Sequence, residues 1–180
     1  MAIPTRAECL EMMDRAGVPE HIRRHCEAVA TVAIRLAQAL SAQGIVLDLA
    51  LVESAALLHD IGKARALETR AADHGKIGAD MLVELGCAEV EKLAPAVREH
   101  TMLAFFEEGD ALTESLVVNY ADKRVMHDAV VSLDERFADL AARYANSDMA
   151  RAFLATLLER YRRLEAEIFE KLPFGPDGVT

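Results

Sequence analysis

Apolar residues recur at intervals of three and four along most of the 180-residue chain, which is the spacing of amphipathic helices. Cap residues mark where the first three helices begin. Thr5 and Glu8 form a capping box, Pro19 suits the first turn of a second helix, and Asp48 caps a third. The expected helices end at Gly17, at Gly44 and after residue 60, and further helices cover residues 74–85, 88–100, 113–131, 133–144 and 148–171.

No stretch of useful length alternates apolar and polar residues, so the sequence predicts an all-α protein. There is no repeat and no low-complexity linker, and a chain of this length can bury one core. We therefore expect a single domain. Within it, residues 1–18 form an N-terminal helix, 19–131 a central core, and 132–180 the C-terminal helices followed by a frayed tail.

Several polar residues interrupt the apolar faces of these helices. The run LLHDIGK, residues 57–63, ends an apolar helix with a histidine and an aspartate. Residues three and four positions apart share a helix face, and by this rule other polar residues also fall in or beside apolar rows. The complete set comprises four histidines and two aspartates, namely His25, His59, Asp60, His74, His100 and Asp122.

A single histidine on an apolar face is more often a hydrogen-bonded core residue than a metal ligand. Six polar groups from five helices favour another interpretation, because one core cannot cheaply bury so many separate polar groups, whereas a metal centre satisfies all of them. The second His-Asp pair, His127-Asp128, is expected on a solvated polar face with Tyr120, Lys123 and Arg124. His21 is expected at the mouth of the site or on the surface.

Composition narrows the class of protein. The formal net charge of −10 argues against a general nucleic-acid surface. Cys9, Cys26 and Cys87 are odd in number and lack CxxC spacing, so neither a disulfide framework nor a cysteine zinc site is expected. The N-terminus has no signal-like apolar region and no charge-free stretch could span a membrane. We expect a cytoplasmic protein with neither nucleic-acid nor membrane partners, and the sequence leaves its oligomeric state open.

The order of a helical histidine, the HDIGK segment and a later aspartate in NYADKRV resembles the HD superfamily of metal-dependent phosphohydrolases. DHGKIGADML and REHT also resemble histidine-bearing segments of HD members that hold two metals. The resemblance implies a compact helical bundle of about seven to eight helices with two divalent transition metal ions, Fe, Mn, Co, Ni or Zn. One ion would take His25, His59, Asp60 and Asp122, and the other His74 and His100, with Asp60 bridging.

The chemistry implied by this resemblance is attack of a metal-activated hydroxide on a phosphoester or phosphoanhydride of a small, nucleotide-like substrate. Asp60 and Lys63 would be catalytic, with Lys63 neutralising charge on the phosphoryl group. Lys63, Arg65, Arg70 and Lys76 make residues 63–76 a cationic segment in an acidic protein and are expected to bind the substrate. No general acid for the leaving group stands out.

Alternatives remain at this point. The ligand order and size also resemble the small HD hydrolases of dinucleoside tetraphosphates, although Lys123-Arg124 differs from the sequence that normally follows their final aspartate. The same six ligands resemble HD-type di-iron oxygenases, in which the metals activate O₂. A non-catalytic module that binds nucleotides or signals is a third possibility.

Overall fold

The computed structural model describes residues 2–71, 73–100, 106–107 and 109–179. Over these residues the chain is predominantly helical, which confirms the predicted all-α class. The helices are α1 (Arg6–Arg15), α2 (Glu20–Ala42), α3 (Leu49–Leu58), α4 (Lys63–Thr69), α5 (His74–Glu84), α6 (Val90–Glu99), α7 (Glu114–Lys123), α8 (Leu133–Tyr144) and α9 (Asp148–Glu170). A short hairpin, β1 (Val125–Met126) and β2 (Ala129–Val130), follows α7, and a 3₁₀ turn covers Pro176–Val179.

Side-chain caps fix where these helices start. Thr5 accepts the backbone N–H of Glu8, whose carboxylate returns to the Thr5 backbone, so the capping box predicted for α1 is confirmed. Asp48 accepts two backbone N–H groups at the start of α3, also as predicted. Ser132 builds a second capping box before α8. These bonds satisfy backbone N–H groups of the first turn that have no partner within the helix. Cap residues therefore predict where helices start.

The long helix α2 lies against α3 and α7, and its apolar face supplies much of the core. Helix α5 packs on α6, and α8 packs on α9, which closes the bundle on the other side. The first half of α9 has no buried residue, whereas Tyr161, Leu164 and Ile168 in its second half are buried. In the described part of the chain, no helix is long and apolar enough to cross a membrane.

Three local expectations were wrong. Residues 63–69 form helix α4, where we expected a loop. The helix predicted over 113–131 ends at Lys123, and the hairpin follows. The tail is not frayed up to residue 179, since Val179 is only 3% exposed. In each case the deciding contacts are tertiary.

Tyr120, Lys123 and Arg124 were also misplaced, because they are buried and do not form a solvated face. Arg124 Nε donates to Val131 O at 2.7 Å, and its Nη1 donates to the Tyr120 hydroxyl at 2.6 Å. Its Nη2 donates to Pro176 O at 3.2 Å, which ties the tail to the end of α7. The Tyr120 hydroxyl donates in turn to Glu165 on α9 at 2.5 Å. One buried guanidinium therefore fastens three segments of the chain.

We expect Arg124→Met to lower the free energy of unfolding by about 2–3 kcal/mol, because it leaves several buried acceptors without a donor. Urea denaturation followed by circular dichroism measures this. The matched control is Arg162→Met on α9, whose exposed guanidinium pairs with Asp134 and Glu159 and should matter little. Equal midpoints for the two variants would contradict the anchoring role of Arg124.

Candidate metal centre

Two of the predicted histidines cap the helices that carry them. His59 is the C-cap of α3, and its Nδ1 lies 2.7 Å from Ala56 O. His100 is the C-cap of α6, and its Nδ1 lies 2.6 Å from Val97 O. A carbonyl oxygen can only accept, so Nδ1 carries the proton in both rings. The last turn of each helix thereby gains a donor, and each Nε2 turns its lone pair inward.

His25, in the second turn of α2, is oriented by the hairpin. Its Nδ1 donates to the backbone carbonyl of His127 at 2.8 Å, which again leaves the Nε2 lone pair free. His127 has a φ of +59°, so a left-handed turn delivers this carbonyl. The His127 and Asp128 side chains are exposed, and Asp128 pairs with Arg24 at 3.2 Å. Nothing in the residue pattern indicated that the backbone of this second His-Asp pair serves the site.

The structure brings all six predicted ligand residues together around Asp60. On one side, Asp60 Oδ2 lies 3.6 Å from His59 Nε2 and 3.9 Å from His25 Nε2. Asp122 Oδ1 completes this side at 3.0 Å from His25 Nε2 and 3.7 Å from His59 Nε2. The available ligand atoms of His25, His59 and Asp60 all lie within 4.8 Å of one another, close enough to hold one metal ion.

The other carboxylate oxygen of Asp60 faces a second group. Asp60 Oδ1 lies 3.2 Å from His74 Nε2 and 3.4 Å from His100 Nε2, and the two Nε2 atoms are 3.0 Å apart. These three residues form a second cluster that could hold a metal. Asp60 thus lies between two ligand groups and offers one oxygen to each.

The donor set fits a cation. His59 is completely buried, and burial lowers the pKa of its imidazole to about 3, so the ring is neutral. Its Nε2 has no hydrogen-bond partner among the described residues, and carboxylate oxygens of Asp60 and Asp122 lie 3.6 Å and 3.7 Å from it. A lone pair facing carboxylates is unfavourable without a positive charge between them. Imidazole nitrogens with carboxylate oxygens suit divalent transition metals.

Both aspartates are ionised. Burial alone would raise the pKa of Asp60, but the Lys63 ammonium opposes this, and the pKa lies well below its usual range. Burial would likewise raise the pKa of Asp122, and the Lys123 ammonium reverses this. Lys63 Nζ donates to Asp60 Oδ2 at 2.6 Å, and Lys123 Nζ contacts Asp122 Oδ2. Each carboxylate is therefore already paired with a lysine.

Close approach of backbones brings α5 and α6 to the site. A Cβ added to Gly62 would lie 2.4 Å from Gly78 N and 2.5 Å from His74 O, so only glycine fits where α4 meets α5. A Cβ on Gly75 would lie 2.6 Å from Arg98 O on α6. These contacts set the position of His74 and of the helix end that carries His100.

The four expected substrate-binding cations occupy different places. Lys63, the first residue of α4, lies at the metal cluster, where it pairs with Asp60. Arg65 is exposed and pairs with Glu84 at 2.7 Å, while Lys76 is exposed and pairs with Asp80 at 2.8 Å. Arg70 is an exposed C-cap of α4. Among the described residues that line the cavity over the centre, Lys63 alone of these four is present.

That cavity has a volume of about 540 Å³ and opens between the metal cluster and helices α8 and α9. Lys123, Arg136 and Arg143 line it, and sequence reasoning missed all three. Arg136 and Arg143 are seven residues apart and so share one face of α8, the signal that could have found them. A narrower opening of about 110 Å³ lies beside it, and His21 is among its lining residues.

Comparison with known proteins identifies the family. The HD domain model matches residues 22–126, a segment that includes all six residues of the cluster. The chain belongs to the HD domain family. Such proteins are generally metal-dependent hydrolases, in keeping with a histidine and aspartate cluster that could bind metal.

The similarity of this HD domain protein to its relatives is either low in identity or limited to a short segment. An uncharacterized protein of Methanocaldococcus jannaschii is 42% identical over 81 residues, which are 45% of each chain. A tRNA (cytidine(56)-2'-O)-methyltransferase of Picrophilus torridus is 28% identical over 99% of this chain and 50% of its own. A protein of the same name from Thermoplasma volcanium is 26% identical over 76% of this chain and 37% of its own. This chain spans half or less of each, and no solved structure matches it.

We expect Gly62→Ala to destabilise the HD domain by about 1–3 kcal/mol, because the new methyl group meets rigid backbone on α5. It should also reduce metal binding, since α5 must move and take His74 with it. Urea denaturation and metal analysis of dialysed protein measure the two effects. Gly175→Ala is the control, because nothing lies within 4 Å of its added Cβ. A Gly62→Ala variant as stable as that control would show that the close approach does not position α5.

Proposed function

We propose that this protein is a metal-dependent phosphohydrolase that cleaves a phosphoester or phosphoanhydride bond of a small, nucleotide-like substrate. The observation that carries the proposal is the buried set of Nε2 lone pairs and carboxylates around Asp60, which opens into a cation-lined cavity of about 540 Å³. A cavity of this size accommodates a small molecule. Positive side chains beside a cluster that requires cations favour an anionic substrate.

The residues that would hold the metals follow from the geometry of Asp60. His25, His59, Asp60 and Asp122 would hold one ion, and His74, His100 and Asp60 the other. Divalent ions bound there would polarise the phosphoryl oxygen and lower the pKa of a water molecule. The Nδ1–H bonds of His25, His59 and His100 fix their rings before any ion binds, which reduces the ordering cost of ligation.

Lys63 is the side chain best placed to act on the substrate. Its Nζ lies 2.6 Å from Asp60 Oδ2, and about a third of the side chain is exposed to the cavity side. The pKa of Lys63 is raised, because the attraction of Asp60 outweighs the opposing effect of burial, so the amine stays charged. A charged amine there can stabilise the extra negative charge that a phosphoryl group gains during transfer.

Net charge and the size of the cavity favour a small substrate over a polymer. A chain of charge −10 lacks the basic stripe that an extended RNA duplex requires. Two relatives bear the name of a tRNA methyltransferase, and this chain spans only half or less of each. We therefore propose small nucleotides as substrates.

The first test counts metals. We expect the purified, metal-reconstituted protein to bind two divalent ions per chain. His74→Ala should reduce the number towards one, because it removes a ligand from the second group alone. Elemental analysis after dialysis supplies the count for each variant.

Asp128→Ala is the matched control for the metal count. It removes the aspartate of the second His-Asp pair, which is exposed and contacts Arg24. This variant should keep both ions. A fully loaded wild-type protein with a single ion would refute the two-metal arrangement and leave the HD assignment intact.

The second test concerns Lys63 and the reaction class. Lys63→Met should retain both ions but lower kcat about 100- to 1,000-fold, the usual cost of one lost contact to a developing oxyanion. The assay is product release from a panel of nucleotides and phosphate esters, with and without oxygen. Lys92→Met, an exposed lysine paired with Glu89 at 2.9 Å, controls for loss of a charge.

The panel separates the competing functions. Metal-dependent, oxygen-independent product release that is lost in Lys63→Met supports the hydrolase. Turnover that requires oxygen and a reduced iron centre, with no product from any phosphate ester, would support an oxygenase. Ligand-induced thermal stabilisation without any product would support a binding module. An unchanged rate in Lys63→Met would remove Lys63 from the mechanism.

A further inference from the structure

The cavity over the metal cluster has a second wall, formed by α8 and α9. Arg136 and Arg143 of α8 line both this cavity and the narrower opening beside it, so they stand where the two meet near Asp60 and Lys63. Both guanidinium groups contact the carboxylate of Asp139, at 3.2 Å and 2.8 Å. Two cations share one anion, so one positive charge remains unbalanced at this wall.

Arg136 also carries an unsatisfied donor. The side chain is only 12% exposed. Its Nε is buried and has no hydrogen-bond partner among the described residues. A buried cationic donor without an acceptor is costly, and an anionic ligand in the adjoining cavity would supply one. Three buried side-chain atoms in the described chain lack a partner, and two of them, His59 Nε2 and Arg136 Nε, belong to this region.

Beyond the arginines the same wall becomes apolar. Leu140 and Tyr144 continue the α8 face, and Phe153, Leu154 and Leu157 of α9 lie across from them along the cavity. Phe153 and Tyr144 are 63% and 61% exposed, so much of each ring is open to a ligand in the cavity. An aromatic surface that begins at an anion-binding pair matches a ligand with a phosphate at one end and a flat ring system at the other.

We propose that Arg136 and Arg143 bind the phosphoryl oxygens of the substrate, while the aromatic wall around Phe153 stacks against its base. The substrate class is then a nucleotide rather than a sugar phosphate or an inorganic phosphate. This inference rests on the proposed function, whose reacting phosphoryl group would lie between this wall and the metal cluster. It assigns specificity to α8 and α9, outside the matched segment 22–126.

The test is calorimetric binding of three probes to the metal-loaded full chain: adenosine 5′-monophosphate, ribose 5-phosphate and inorganic phosphate. Wild-type protein should bind the nucleotide about tenfold or more tightly than the sugar phosphate, as expected for one stacked base. Phe153→Ala should abolish that difference and leave the affinity for inorganic phosphate unchanged. Arg143→Met should weaken all three probes by about tenfold or more, since each loses a charge-assisted hydrogen bond.

Arg136→Met should act like Arg143→Met. Arg143 is 44% exposed in its side chain, so its variant keeps the test valid even if loss of the more buried Arg136 impairs folding. Arg162→Met on the outer surface of α9 is the matched control and should bind as wild type does. Equal binding of nucleotide and sugar phosphate by the wild-type protein, or unchanged affinities in Arg143→Met, would overturn the proposal.

Hydrolysis of the nucleotide panel by the same variants separates the two proposals. If the wild-type protein cleaves nucleotides and Arg143→Met has the same kcat/KM, the role of α8 is refuted and the hydrolase stands. If no probe is cleaved but arginine-dependent binding is present, the hydrolase is refuted and the binding wall stands.

Discussion

A set of hydrogen-bond acceptors meets in the interior of this protein, and their mutual repulsion is the constraint that governs the site. Nε2 of His25 and His59 faces carboxylate oxygens of Asp60 and Asp122, while His100 and His74 face the other oxygen of Asp60. Lysines neutralise part of this charge from outside the cluster. The orphaned Nε2 of His59 shows that protein groups alone do not satisfy it. A bound cation would satisfy it.

The same type of hydrogen bond orients three of the histidines in that arrangement. Three histidines from α2, α3 and α6 each donate Nδ1–H to a backbone carbonyl, so each presents the same nitrogen to the centre. Glycines remove the side chains that would otherwise keep α4, α5 and α6 apart. Asn119 of α7 donates to Glu99 O beside His100 and accepts from the Tyr161 hydroxyl. Helix α9, remote in sequence, therefore helps to hold the end of α6.

The distribution of charge shows how an acidic protein could bind the proposed anionic substrate. Its excess carboxylates lie largely on the surface, where many pair with arginine or lysine within one helix. The cavity instead gathers Lys63, Lys123 and two arginines of α8. Lys63 and Lys123 each neutralise an aspartate of the cluster, whereas the two arginines share one aspartate, so one positive charge is left for a ligand. The proposed affinity for an anion would then be a property of this wall and of the metals, and net charge does not reveal it.

Much of the protein could be read from its sequence. Caps and apolar spacing gave the starts of α1, α3 and α8, because these depend on residues a few positions apart. The face rule also gathered the six residues of the cluster, since burial of polar groups among apolar neighbours is visible in one dimension. Contacts between distant segments were not visible. Helix α4 depends on packing against α5, the tail depends on Arg124, and the cationic wall depends on where α8 lies over Asp60. Local interactions are encoded by spacing along the chain, whereas these contacts exist only once the chain has folded.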